Sequence, residues 1–246
     1  MGTIDMSRTV CAIVGAGDGL GQSLARHFAA NGFDIALLSR SEAGSAAALA
    51  AASAADPSAA VTYFQVDAMK PDTVEQGLGK AAKEMGQIDV LIYNVRGGMQ
   101  AKAPLDVSFE ELRDIYEIEV VGAYAAARAV MPGMIERGHG SVIYSSATAA
   151  LRGSGTNPLY AMGKFGLRAL AQNLAKAYAR DGVHVAHVRL DCALDVPLVR
   201  KHYGLKTEEM SNTDDVAESY LWLHRQPKSA WSNEIEIRPY TENWTF

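Results

Sequence analysis

The sequence predicts a single-domain α/β protein, built as a doubly wound parallel sheet of about seven strands with helices on both faces. Three observations carry this expectation. Short apolar, β-branched runs alternate with longer helical stretches along the chain, as in repeated strand–helix–strand units. The strands read as continuous apolar runs, the pattern of a sheet covered on both faces. The 246 residues are 48% apolar and 21% charged, enough for a sizeable core, and no Pro/Gly-rich linker or internal repeat divides them.

The first strand is Thr9-Val10-Cys11-Ala12-Ile13-Val14, closed by glycines from Gly15 to Gly21. A helix follows from about Leu20 to Ala30 and stops at Asn31-Gly32. Phe33 to Leu38, Val61 to Val66, Ile88 to Tyr93, Val142 to Tyr144 and Val183 to Leu190 are the next strands, and Ile235-Glu236-Ile237 is a late, alternating one. Helices are expected near 42–54, 72–85, 108–137, 158–180 and 213–225, which gives seven strands and six helices. The Ala-rich stretch 45–60 reads as a lightly packed surface helix and loop. Residues 194–211 lack periodicity and follow the last long parallel strand. Ligands in such sheets bind beyond the strand carboxyl ends, so this segment is a candidate substrate flap.

Composition narrows the function. A net charge of −5 argues against nucleic acid as a partner. No run reaches the ~18 apolar residues of a membrane span, and Met1-Gly2-Thr3-Ile4-Asp5 lacks a basic-then-apolar leader. Two cysteines, Cys11 and Cys192, outside any CxxC pair, suit a reducing, cytoplasmic setting. His184 and His187 fall on opposite faces of a strand, and no metal motif is present.

The chemistry begins at Gly15-Ala16-Gly17-Asp18-Gly19-Leu20-Gly21. A glycine turn between strand and helix lets the backbone approach a pyrophosphate, with helix N–H groups as donors. A GxGxxG pattern would need glycine at position 20, where Leu20 stands, and Gln22 excludes a P-loop. The spacing that fits is Gly15-x3-Gly19-x-Gly21, making Gly15, Gly17, Gly19, Leu20 and Gly21 candidate cofactor contacts. The second strand ends in Ser39-Arg40, with no carboxylate for a ribose diol and a cation suited to a 2′-phosphate. NADP(H) is therefore expected ahead of NAD(H), although Asp18 is an awkward neighbour and Arg40 as a solvated loop residue is the alternative. Tyr160 and Lys164 lie at i and i+4 of a helix and share a face. An ammonium there would pull the phenol down from ~10 toward working pH and make it a general acid/base.

With these motifs in place the chain resembles the short-chain dehydrogenase/reductase family over nearly its whole length, as a divergent bacterial-type branch with a Rossmann-type fold. The resemblance implies that Asp67, after the third strand, contacts adenine (a helix-capping role is the alternative). It implies that Asn94, the second Asn of the family's Asn-Asn-Ala-Gly motif, supports the cofactor. The departures are specific. The serine expected thirteen residues before Tyr160 is Ala147, so Ser146 or Thr148 would have to polarise the carbonyl. Glu119 replaces an Asn, Leu190-Asp191 replaces Pro-Gly, and Arg96 replaces the motif's glycine. Asp191 and Asp195 are read as loop carboxylates near the pocket mouth.

The sequence thus points to an NADP(H)-dependent oxidoreductase interconverting a carbonyl and an alcohol of a small-molecule substrate. Tyr160 would act as acid/base and Lys164 would tune it and hold the ribose. The altered positions 119, 147 and 190 keep open a non-redox enzyme on the same scaffold, of cyclase or isomerase type, and a non-catalytic NADP(H)-binding sensor. Ala-rich faces on the helices 108–137 and 158–180 allow close helix approach, and the family pairs them, so a homodimer or homotetramer is expected.

Overall fold

The computed structural model describes residues 8–242; the leader-type reading of the first five residues lies outside them. The sheet strands are β1 (Thr9–Val14), β2 (Phe33–Ser39), β3 (Val61–Gln65), β4 (Ile88–Tyr93), β5 (Gly140–Ala147) and β6 (Val183–Leu190). A short pair, β7 (Ala193–Leu194) and β8 (Met210–Ser211), precedes the last sheet strand, β9 (Glu234–Ile237). The seven-stranded sheet is parallel throughout, in the order β3-β2-β1-β4-β5-β6-β9. The order reverses at β1, so a crevice opens between the carboxyl ends of β1 and β4.

Alternation along β1 shows how the core is split. Val10, Ala12 and Val14 face one apolar cluster, and Cys11 and Ile13 face the other. The helices α1 (Leu20–Ala30), α2 (Glu42–Ala55) and, near the C-terminus, α8 (Thr213–Arg225) cover one side of the sheet. On the other lie α3 (Pro71–Met85), α5 (Gly122–Arg137) and α6 (Pro158–Tyr178). Fully buried side chains such as Phe28, Leu37 and Leu91 each contribute ~1.5–3 kcal/mol by leaving water.

Two expectations change. The long helix 108–137 is interrupted: α4 (Phe109–Tyr116) passes through a π-helical segment, Glu117–Val121, before α5 begins. The wider turn frees the Ile118 carbonyl, which accepts the Tyr93 hydroxyl at 2.5 Å. Such bulges concentrate at functional sites, and this one carries Glu119 into the interior. The stretch Phe109–Arg137 is also long and apolar enough on average to match a membrane span, with mean hydropathy 1.3, although half of that window is buried within the protein. The flap segment is not structureless. It contains α7 (Pro197–Tyr203) and is anchored by pairing of β7 with β8.

Candidate active site

The glycine turn forms one wall of the crevice. Gly15 has φ +90°, and a Cβ there would lie 2.6 Å from the Asn94 carbonyl oxygen; a Cβ on Gly21 would lie 2.8 Å from the Gly15 oxygen. These two glycines are required by backbone packing. Gly17, in contrast, faces open space, so its missing side chain leaves room for a ligand. At the α1 N-terminus Gly19 supplies no side-chain cap, and the first turn carries no acid. The free N–H groups there suit a phosphate. Asn94 locks the turn, donating from Nδ2 to the Gly15 carbonyl at 3.1 Å.

Two cavities meet at this wall and share Gly15, Gly17, Asn94, Val95 and Arg96. The first, ≈ 550 Å³, runs past Ser39, Arg40 and Asp67; the second, ≈ 600 Å³, runs past Gly19, Leu20, Gly21, Tyr160 and Lys164 to the flap. Arg40 is exposed at the mouth of the first. The Ser39 hydroxyl is engaged by the Ser41 carbonyl at 2.9 Å and by Ser45. Asp67 accepts the Met69 N–H at 3.1 Å while lining the cavity; it does not cap α3, whose N-cap position is Lys70 with no side-chain capping bond.

Around Tyr160 the structure differs from the simple dyad. Lys164 is 2% exposed, and its Nζ lies 2.7 Å from Oε2 of Glu119, which is 0% exposed. The other carboxylate oxygen of Glu119 accepts the Gly97 N–H at 2.7 Å. Lys164 also donates to the Val95 and Ser145 carbonyls at 3.4 and 3.3 Å. Its Nζ sits 5.7 Å from the centre of the Tyr160 ring, but its charge is balanced by Glu119. Burial, followed by the Glu119 carboxylate, pushes the Tyr160 phenol up to about 12, and Arg96 acts in the opposite sense. The expectation that Lys164 draws the phenol toward neutrality is therefore corrected: burial raises the phenol, and the acid at position 119 offsets the ammonium.

The two hydroxyls flanking Ala147 differ: Thr148 is engaged, whereas Ser146 lines the second cavity with its Oγ uncommitted. Thr148 donates to Asp191, and Asp191 is paired with Arg238 at 2.6 Å. Arg238 pairs in turn with Glu236, which also holds Arg189. Asp191 is thus a buried, paired carboxylate instead of a solvated one; Asp195 pairs with Arg200 at the surface. Ser146 Oγ is buried with no hydrogen-bond partner among the described residues. Sequence reasoning missed Arg238, at which only the alternating Glu236-x-Arg238 hinted; Val196, Leu198 and Tyr203, which line the second cavity, fall within the segment 194–211 expected as a flap. Among the described residues no group of His, Cys, Asp or Glu is arranged to hold a metal ion.

A parallel sheet with a phosphate-ready glycine turn at its switch point, opening onto a half-buried tyrosine beside a buried lysine, defines a dinucleotide-dependent α/β enzyme. The pattern of the short chain dehydrogenase family matches residues 9–197, and the chain belongs to that family of nicotinamide-binding oxidoreductases. It is 25% identical over 237 residues to an uncharacterized oxidoreductase of Staphylococcus saprophyticus, covering 96% of this chain and 99% of the relative. It is 30% identical over 176 residues to the L-2,3-butanediol dehydrogenase of Corynebacterium glutamicum, covering 70% and 67%. The crystal structure of a short-chain dehydrogenase from Rhodopseudomonas palustris superposes with a TM-score of 0.80 at 31% identity, over 94% of this chain and 99% of that one.

Proposed function

We propose that the protein is an NADP(H)-dependent carbonyl reductase in which Tyr160 is the general acid. The observation that carries this reading is the placement of Tyr160 and Lys164 in the second cavity, which shares a wall with a cavity fit for a dinucleotide. The open space at Gly17, the uncapped start of α1 and the acid-free end of β2 fit an adenosine 2′-phosphate and pyrophosphate. Arg40 would meet the 2′-phosphate, Asp67 the adenine, and Lys164 the nicotinamide ribose. When bound, the cofactor supplies the hydride.

The chain's own residues handle the proton. A phenol pushed up to about 12 remains protonated at neutral pH, so it donates to a carbonyl oxygen more readily than it accepts from an alcohol. This favours the reductive direction. With Ala147 in the serine's place and the Thr148 hydroxyl turned to Asp191, the uncommitted hydroxyl of Ser146, which lines the same cavity, is the one left to join Tyr160 as a donor to that oxygen. The flap helix α7 would exclude water above it. The test is Tyr160→Phe, assayed by NADPH oxidation with a panel of ketones and quinones. Rate should fall by ~10²–10⁴-fold with NADPH affinity little changed. Full retained turnover would refute the assignment. Wild-type protein that binds NADPH yet oxidises it with no member of the panel would favour the non-redox reading, which the unusual Glu119 and Ala147 support.

A further inference from the structure

Arg96 occupies a place where the resemblance expects glycine, and the structure shows how its backbone is held. The Val95 carbonyl, one residue before it, accepts Lys164 Nζ at 3.4 Å, and the Gly97 N–H, one residue after it, donates to Glu119 at 2.7 Å. Gly97 is buried and closely packed, and a Cβ there would lie 2.3 Å from the Ile115 side chain. The buried Lys164–Glu119 pair therefore grips the chain on both sides of Arg96 and leaves its side chain directed outward. That side chain is exposed and lines both cavities.

The guanidinium lies toward the second cavity. Its Nη1 is 3.9 Å from the Met99 sulfur, and Met99 lines only the cavity that contains Tyr160. Among the described residues no carboxylate pairs with it. Two acids of the substrate space are paired elsewhere, Glu119 with Lys164 and Asp191 with Arg238; Glu242 also lines the second cavity and makes no ion pair with Arg96 among the described residues. An unpaired planar cation fixed beside a proton donor is a fork for a carboxylate.

We propose that Arg96 is a specificity-determining residue that selects oxo acids, substrates bearing a carboxylate close to the carbonyl that Tyr160 protonates. This rests on the reading of Tyr160 as the acid. It also gives the departures at 96 and 119 one purpose: Glu119 is the positioning residue that braces the loop presenting Arg96.

The test compares two matched pairs, pyruvate with methyl pyruvate and benzoylformate with methyl benzoylformate. Calorimetric binding to the NADP⁺-loaded protein is measured alongside NADPH-dependent turnover. At least one acid should bind roughly 10-fold or more tightly than its ester, the scale of a charge-assisted hydrogen-bond pair. Arg96→Ala should abolish that preference while leaving ester binding and NADP⁺ affinity unchanged, and Arg96→Lys should restore part of it. Absence of an acid preference in both pairs overturns the proposal. So does a loss of NADP⁺ affinity in Arg96→Ala, which would assign the cation to the cofactor's phosphates. Selective acid binding without turnover would uphold Arg96 as the anion site and refute the reductase reading instead.

Discussion

Replacing Glu119 by Gln removes one negative charge from the interior and changes almost nothing in shape. The amide oxygen can still accept the Gly97 N–H, but Lys164 is left buried with only two long carbonyl contacts, at 3.3 and 3.4 Å. Two consequences follow. Breaking a buried pair by removing one partner costs ~3–5 kcal/mol, so the denaturant midpoint should fall. The uncancelled ammonium, 5.7 Å from the Tyr160 ring centre, would stabilise phenolate by about 3 kcal/mol at an effective dielectric of about 20. That moves the phenol's midpoint down by about 2 pH units, from about 12 toward the ordinary tyrosine range. Because the phenol must be protonated to act as an acid, the variant's reduction rate should decline as pH rises through this new midpoint. The wild type should hold its rate to higher pH. The assay is the alkaline limb of kcat/KM for the fastest ketone of a panel. Phenolate absorbance of Glu119→Gln, compared with the double variant Glu119→Gln/Tyr160→Phe, checks the same ionisation without turnover. Folding is verified by circular dichroism. Coincident alkaline limbs in a folded variant would refute the claim that Glu119 cancels Lys164.

Other outcomes test the remaining structure. NADPH should bind at least ~10-fold tighter than NADH, about 1.4 kcal/mol, and Arg40→Ala should erase the gap; equal dissociation constants by calorimetry would reject the role of Arg40. His187 is buried, and desolvation lowers its imidazole from 6.5 to about 4. The unfolded chain therefore binds that proton first as pH falls, and stability is lost between about 6.5 and 4. His187 alone should account for about 2 kcal/mol of loss by pH 5, which His187→Phe should remove from the difference between urea midpoints at pH 7 and pH 5. The exposed aromatic side chains Phe109, Tyr116, Tyr124 and Phe165 on α4, α5 and α6, beside the small Ala-rich faces, favour a homodimer or homotetramer. Light scattering that gives a monomer mass at micromolar concentration would count against it.

The sequence by itself determined the architecture. Period, strand composition and the placing of glycine are local properties, and each strand of the main sheet formed near where its apolar run lay. The glycine turn and the Tyr160–Lys164 spacing were legible for the same reason: one turn and one helix face hold all their parts. What the tertiary structure decided was the electrostatics of the site. Glu119 and Lys164 are 45 residues apart in the chain, and no spacing rule joins them. Only the packing of the π-helical segment against α6 brings carboxylate and ammonium to 2.7 Å, and burial first, with the Glu119 carboxylate second, reverses the expected shift of the phenol. The Thr148–Asp191–Arg238 chain likewise depends on the parallel neighbours β5, β6 and β9, whose carboxyl ends meet only once the sheet is assembled. The Coulomb interaction in a buried site falls with distance through space and is indifferent to distance along the chain. A residue's identity can therefore be read from the sequence, but the charge it feels is settled by the fold.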